Sequence, residues 1–306
     1  MRVTFNAFPD TLLGRLQSLG SEQNKALTQL STGQRLAAPS DDAPAMQRIL
    51  NLRTEKKQNQ QFHRNATDGL EKSKVTFSSL EQIKDLLVRA SELAAGVNGA
   101  SSPNEYFAKS SEINQLIEQG LNVGNTKLRG SYLFAADSPE NPAFTATKDS
   151  QNKITAITYA GSQDDSAIRI GEDTEIKVGS SVPENKKIAT VLNKLIALRD
   201  AMDAPASATK SDTVIGMRGQ GTDNLDQLEN DILSSISRAG TIQYRLETAM
   251  KDLETRYEAT EQLISKDADI DFAEATVRLN RAQMAYQAAI QSGARIQSNS
   301  LLDYVR

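Results

Sequence analysis

The chain contains no cysteine, no tryptophan and a single histidine, His63. Without cysteine there are no disulfides, no thiol catalysis and no Cys-based metal site, an absence that fits a reducing or an oxidising destination alike. One histidine excludes a two-His zinc motif and makes a catalytic dyad hard to build, so His63 reads as a surface or interface residue of a helix. Aromatics are only 5% of the residues, 8 Phe and 7 Tyr, which suits slim helical seams better than a thick core. No apolar run approaches the roughly 20 residues that span a bilayer. The net charge of −4, from 35 Lys and Arg against 39 Asp and Glu, is small and interspersed. It gives no electrostatic reason to expect nucleic acid or a membrane as partner. The opening MRVTFNAFPDTLLGRLQ has neither a secretory apolar stretch nor a small-residue cleavage site, so a cleaved signal peptide is not expected.

What is present is helical pattern. The 306 residues leave room for about two domains. Leu12, Leu16, Leu19, Gln23, Ala26 and Leu30 alternate spacings of four and three, the a/d pattern of a coiled-coil seam. Gly33 follows, suited to the left-handed residue that ends a helix. Pro39, Ser40, Asp41 and Asp42 come next; the last three are capping residues, and Pro44 is tolerated only in a first turn. The stretch LSTGQRLAAPSDDAPA (30–45) is therefore a helix stop, a short connector and a helix start. From Ala43 to Ala95 the only helix breakers are Pro44 in the first turn and Gly69, and an unbroken helix there would be about 80 Å long.

VNGASSPNE (97–105) is a break, and a further helix carries Ile113, Leu116, Ile117, Leu121 and Leu128. Residues 131–182 change to β-branched and aromatic runs punctuated by Gly, Ser and Asp, which is hairpin chemistry, with GEDTE (171–175) as a solvated edge or turn. Helix returns over 184–203, residues 203–224 read as a loop, and a second long helix starts near Asp223. Finally Phe272, Ala275, Leu279, Ala282, Tyr286, Ala289, Gly293 and Ile296 again alternate three and four, before the close SLLDYVR with Leu301 and Leu302. The two end stripes must pair with each other or find partners in neighbouring molecules.

Patterns that hint at chemistry have plainer readings. Asp267, Asp269 and Asp271 form a D-x-D-x-D run, but a calcium loop needs Gly where Phe272 stands and Glu where Arg278 stands. Acids at a helix start explain the run. Gly219-x-Gly221, preceded by Gly216, has Asn224 where a third glycine should stand, and it lacks the Lys-Ser/Thr pair and the βαβ setting of a phosphate turn. Asn65-Ala66-Thr67 fits a glycosylation pattern in mid-helix and is assigned no role. No constellation supports an enzyme, and no metal or cofactor is expected.

LSTGQRLAAPSDDAPA (30–45), SYLFAA (131–136), DIDFAEATVRLNRAQMAYQAAIQSGARI (269–296) and SLLDYV (300–305) together resemble the bacterial flagellin family, most specifically its hook-associated junction members. Ala43 departs from the pattern, which has Pro directly after the Asp pair; here Pro falls at 44. The resemblance implies an extracellular structural subunit of the flagellum, exported largely unfolded with an export chaperone (FlgN-like). It would form a ring with copies of itself between hook-associated protein 1 (FlgK) and flagellin, its terminal helices in the core of the tube.

The expected fold class is α+β: an elongated helical bundle and coiled-coil rod with a β-rich insert, the terminal regions disordered in the free monomer. The expected divisions are an axial segment and turn (1–42), a first rod half (43–130), an outward β-rich domain (131–182), a helix and loop (183–222), a second rod half (223–265) and a C-terminal axial segment (266–306). The expected assembly interface is the two seams, with the turn of Gly33, Pro39, Ser40, Asp41 and Asp42 setting how the first seam helix folds back. Two rival readings remain: a flagellin filament subunit, and a coiled-coil signalling or chaperone-like module.

Overall fold

The computed structural model describes residues 7–97, 101–136, 140–204, 210–219 and 224–304. It is mainly helical with a small strand-containing part. In chain order the elements are α1 (Ala7–Thr32), α2 (Ala43–Ala95), α3 (Pro103–Gly124), β1 (Lys127–Leu128), β2 (Ser131–Tyr132), β3 (Phe144–Lys148), β4 (Ile154–Tyr159), β5 (Ala167–Arg169), β6 (Glu175–Lys177), α4 (Val182–Asp203), α5 (Lys210–Gly219), α6 (Leu225–Ala268) and α7 (Phe272–Tyr304). The chain divides into two units: Met1–Gln58 with Arg256–Arg306, and Asn59–Thr255. No described helix is long and apolar enough to cross a membrane.

The Asn59–Thr255 unit holds the larger core. Leu80, Ile83 and Leu87 of α2, Ile113 and Ile117 of α3, and Ile188, Leu192 and Leu195 of α4 are buried together. Helix starts are fixed by side chains. Ser102 accepts from the Glu105 N–H at 3.3 Å at the head of α3. At the head of α4, the Glu184 carboxylate accepts from the Ser181 N–H at 2.7 Å. Asn224 accepts from the Gln227 N–H at 2.7 Å to start α6.

The β-rich stretch is a set of hairpins, since each sheet has two antiparallel strands. β3 and β4 pair Phe144 with Tyr159 and Ala146 with Ile157, with a register shift at Thr147/Lys148. Phe144 and Ile157 turn inward, and the Phe144 ring lies 5.7 Å from that of Tyr159 and 6.4 Å from that of Phe134. The β5–β6 hairpin seats Ile170, Ile176 and Val178 against Ala66 of α2 and Ile242 and Leu246 of α6. Its exposed turn carries Glu172 and Asp173.

Three expectations need correction. Leu128, expected on the third helix, stands on β1, since α3 ends at Gly124. Within SYLFAA only Ser131–Tyr132 is strand; Leu133, Phe134, Ala135 and Ala136 turn into the core, Ala136 with φ +56°. The supposed loop 203–224 contains α5, in which Gly216 is helical, while Gly221 lies outside the described residues. Val214 of α5 is fully buried in the core beside α4, and that burial outweighs a glycine-rich composition whose helix penalty is about 1 kcal/mol per Gly.

Candidate assembly interface

The connector between α1 and α2 is built by side chains closing on nearby main chain. α1 stops at Gly33, whose φ of +70° only glycine adopts without strain, and whose N–H donates to the Gln29 carbonyl at 2.9 Å. Buried Gln29 in turn donates through Nε2 to the Arg35 carbonyl at 2.6 Å. The expected turn residues then take separate roles. Asp41 accepts from the N–H groups of Ala37 (3.0 Å) and Ala38 (3.1 Å) and from Lys25 Nζ (2.7 Å). The Lys25 ammonium, aided by those amides, lowers the Asp41 pKa to about 2. Asp42 alone caps α2, accepting from the Ala45 N–H at 3.0 Å. Pro39 and Ser40 are exposed on the connector.

The connector is clasped to the junction of α6 and α7. Gln34 and Asp269 form an antiparallel bridge. The Arg35 N–H donates to the Ala268 carbonyl at 2.7 Å, and the Ile270 N–H to the Gly33 carbonyl at 3.0 Å. The Arg35 guanidinium donates to the Asp267 carbonyl at 2.9 Å. From α2, Arg48 makes a two-pronged contact with the Asp267 carboxylate at 2.9 and 3.3 Å, which raises the arginine pKa and lowers that of the carboxyl. Leu36, Ala45, Ile49 and Ala268 are buried beneath. The acidic run is thus three separate devices. Asp267 pairs with Arg48, Asp269 accepts the Ser265 hydroxyl, and Asp271 caps α7 by accepting from the Ala273 and Glu274 N–H groups.

The clasp brings the two seams together within one chain. α1 and α7 run antiparallel, with Leu12 packed on Gly293 and Tyr286 beside Gly20. A Cβ on Gly293 would lie 2.5 Å from Leu12 Cδ2, so the small residue is what admits the leucine. Ala26, Ala275, Ala282 and Gly293 are buried, and Leu12, Leu16, Leu19, Leu30, Leu279, Tyr286 and Ala289 are half-buried. Phe272 stands apart: it is 59% exposed, over Gly33 at the clasp. The side chains of Ile296, Leu301 and Leu302 lie outside the described residues.

Pairing leaves a second set of apolar side chains outward. Val277 (47% exposed) and Met284 (62%) lie one heptad apart on the face of α7 opposite the seam. On the flank of α1, Leu13 (60%) and Leu27 (55%) lie two heptads apart, and Ile290 is also exposed. Counting a single ribbon per helix misses them, although the heptad spacing of Val277 and Met284 was there to be read. Beside the seam lies an open cavity of about 570 Å3, lined by the apolar Leu19, Ala26, Leu36, Ala282 and Ala285 and by the polar or charged Glu22, Lys25, Gln29, Arg35, Asp41, Arg278 and Arg281. α7 is thus apolar on two faces, the pattern of a helix covered from both sides.

Comparison with known proteins gives a consistent answer. The family described as bacterial flagellin N-terminal helical region matches residues 6–138, and that described as bacterial flagellin C-terminal helical region matches residues 222–305. Flagellar hook-associated protein 3 of Escherichia coli is 24% identical over 298 residues, covering 89% of this chain and 90% of the relative. A flagellin of Halalkalibacterium halodurans is 22% identical over 291 residues, covering 94% and 93%. The crystal structure of the flagellar junction protein FlgL from Legionella pneumophila superposes with a TM-score of 0.55 at 12% identity, covering 72% of this chain and 100% of that one.

Proposed function

Since the chain belongs to the bacterial flagellin family and is a structural component of the flagellum, we propose that it is the subunit that joins hook to filament. The observation that carries this reading is the two-faced terminal pair. One apolar face of α7 is closed against α1, while Val277 and Met284 on its opposite face, and Leu13 and Leu27 on the flank of α1, await cover. In a tube of many copies that cover is a neighbouring subunit. Contacts of this head-to-tail kind repeat around a ring and up an axis without closing on one molecule.

The partners in this reading are hook-associated protein 1 on one side, flagellin on the other and further copies in the ring, with an export chaperone before assembly. The subunit works outside the cell. Its terminal helices complete their order on assembly, when the outward faces are buried and the entropy of fixing them is offset. Its role is mechanical, not enzymatic. The resemblance to hook-associated relatives favours a junction role over a filament role. Deleting the chain from its native cells is expected to leave bare hooks and to release flagellin into the medium. Normal filaments on such cells would sink the junction reading. Purified chain seeded with filament fragments is expected not to elongate them; a flagellin would.

A further inference from the structure

Among the described residues of the Asn59–Thr255 unit there are three sheets of two strands each, so each of these strands is an edge. An edge presents unpaired N–H and C=O groups, a template for another chain. β4 reads ITAITY, with no charge, proline or glycine, the composition that most readily stacks into intermolecular sheet. Yet on both outer edges of the β3–β4 hairpin an asparagine already sits where a further strand would bind. The Asn125 amide donates to the Phe144 carbonyl at 2.9 Å and accepts from the Phe144 N–H at 3.0 Å. Across the hairpin, Asn193 accepts from the Ile157 N–H at 2.9 Å and donates to the Ile157 carbonyl at 2.6 Å. On β5, Asn65 donates to the Arg169 carbonyl at 2.8 Å.

A primary amide carries an acceptor and a donor side by side, as a peptide unit does, so one side chain fills both outward groups of one strand residue. Aspartate lacks the donor and leucine lacks both. The helices fix the two amides in place. Asn125 is the C-cap of α3, its main-chain N–H donating to the Leu121 carbonyl at 3.0 Å. Asn193 stands on α4 and also donates to the Ala189 carbonyl at 2.9 Å.

We infer that Asn125 and Asn193 are edge plugs, which keep the β3–β4 hairpin from accepting a strand of a second copy of this chain. A protein that collects at high local density on one structure has reason to close such edges.

The test uses the full chain with Asn125→Leu or Asn193→Leu, followed by light scattering and by the infrared signal of intermolecular sheet, with folding checked by circular dichroism. Each variant is expected to associate at a concentration about tenfold below the unsubstituted chain, the equivalent of about 1.4 kcal/mol, with new intermolecular sheet. Leu192→Ala, which opens the core but no edge, is expected to stay dispersed there. Ala146→Pro supplies the decisive arm. Ala146 lies two residues beyond Phe144 on β3 and presents its N–H to the same outer edge. Proline removes that donor, so adding Ala146→Pro to Asn125→Leu is expected to restore dispersal, whereas a merely destabilised fold would worsen. The inference is overturned if both asparagine variants stay dispersed, if Leu192→Ala associates equally, or if the proline fails to rescue.

Discussion

Replacing Met284 by aspartate separates the face α7 turns to α1 from the face it turns outward. Met284 is 62% exposed in the isolated chain. Full burial of a methionine is worth about 1.5–3 kcal/mol, so roughly 1–2 kcal/mol of that remains to be gained when a neighbour covers it. Met284→Asp forfeits this gain and adds the cost of drying a carboxylate, on the order of a few kcal/mol more. A combined loss of about 3 kcal/mol per subunit weakens each contact more than a hundredfold. The same change at Ala282, 8% exposed in the seam, strikes the contact with α1 instead. Circular dichroism of the purified chains is therefore expected to show Met284→Asp with unchanged helix content and Ala282→Asp with less. In cells lacking the chain, neither variant should restore filaments, as counted by electron microscopy. If Met284→Asp restores them in normal number, the outward face is not an assembly surface and the reasoning fails.

Acid is expected to loosen the connector first. Asp41 and Asp267 are held below the ordinary carboxylate range, so their contribution is complete above about pH 4; that of Asp41 is lost as the pH falls toward about 2, and that of Asp267 as the pH falls through its lowered value. Hydrogen exchange at the Ala37 and Ala38 amides should accelerate across that interval, and Asp41→Asn should flatten the dependence; protection unchanged down to pH 2 speaks against it. Gly124→Ala places a Cβ 2.7 Å from the buried Phe144 ring, and overpacking of this kind costs about 1–3 kcal/mol, read as a lower melting temperature. Gly33→Ala strains a φ of +70° by about 1 kcal/mol and should shorten the protected part of α1 in hydrogen exchange; equal protection would count against Gly33 as the helix stop.

The long helices were plain in the sequence because only one residue past the first turn, Gly69, interrupts fifty-three positions of α2. The seams were plain for the same reason: a strict alternation of three and four leaves few other conformations able to bury it. α5 was not, because ten residues with glycines are decided by the socket that Val214 enters and not by their own preference. Neither was the division of labour between adjacent Asp41 and Asp42. Capping propensity is shared by both, and only the positions of Lys25 and of the Ala37, Ala38 and Ala45 amides tell them apart. The clasp was invisible for a third reason. Its members are far apart in the chain, and no local pattern encodes which arginine meets which aspartate.

That separation has a consequence for timing. Arg35 finds its acceptor 232 positions downstream, at Asp267. Until those late residues are present, Arg35 lacks this acceptor and the connector has only its local contacts. The Met1–Gln58 segment is therefore locked only once Arg256–Arg306 is present, whereas the Asn59–Thr255 unit holds a core of its own. Closing so large a loop costs only slightly more than closing a moderate one, since the entropy grows with the logarithm of length. Distance along the chain thus delays the fastening without greatly weakening it.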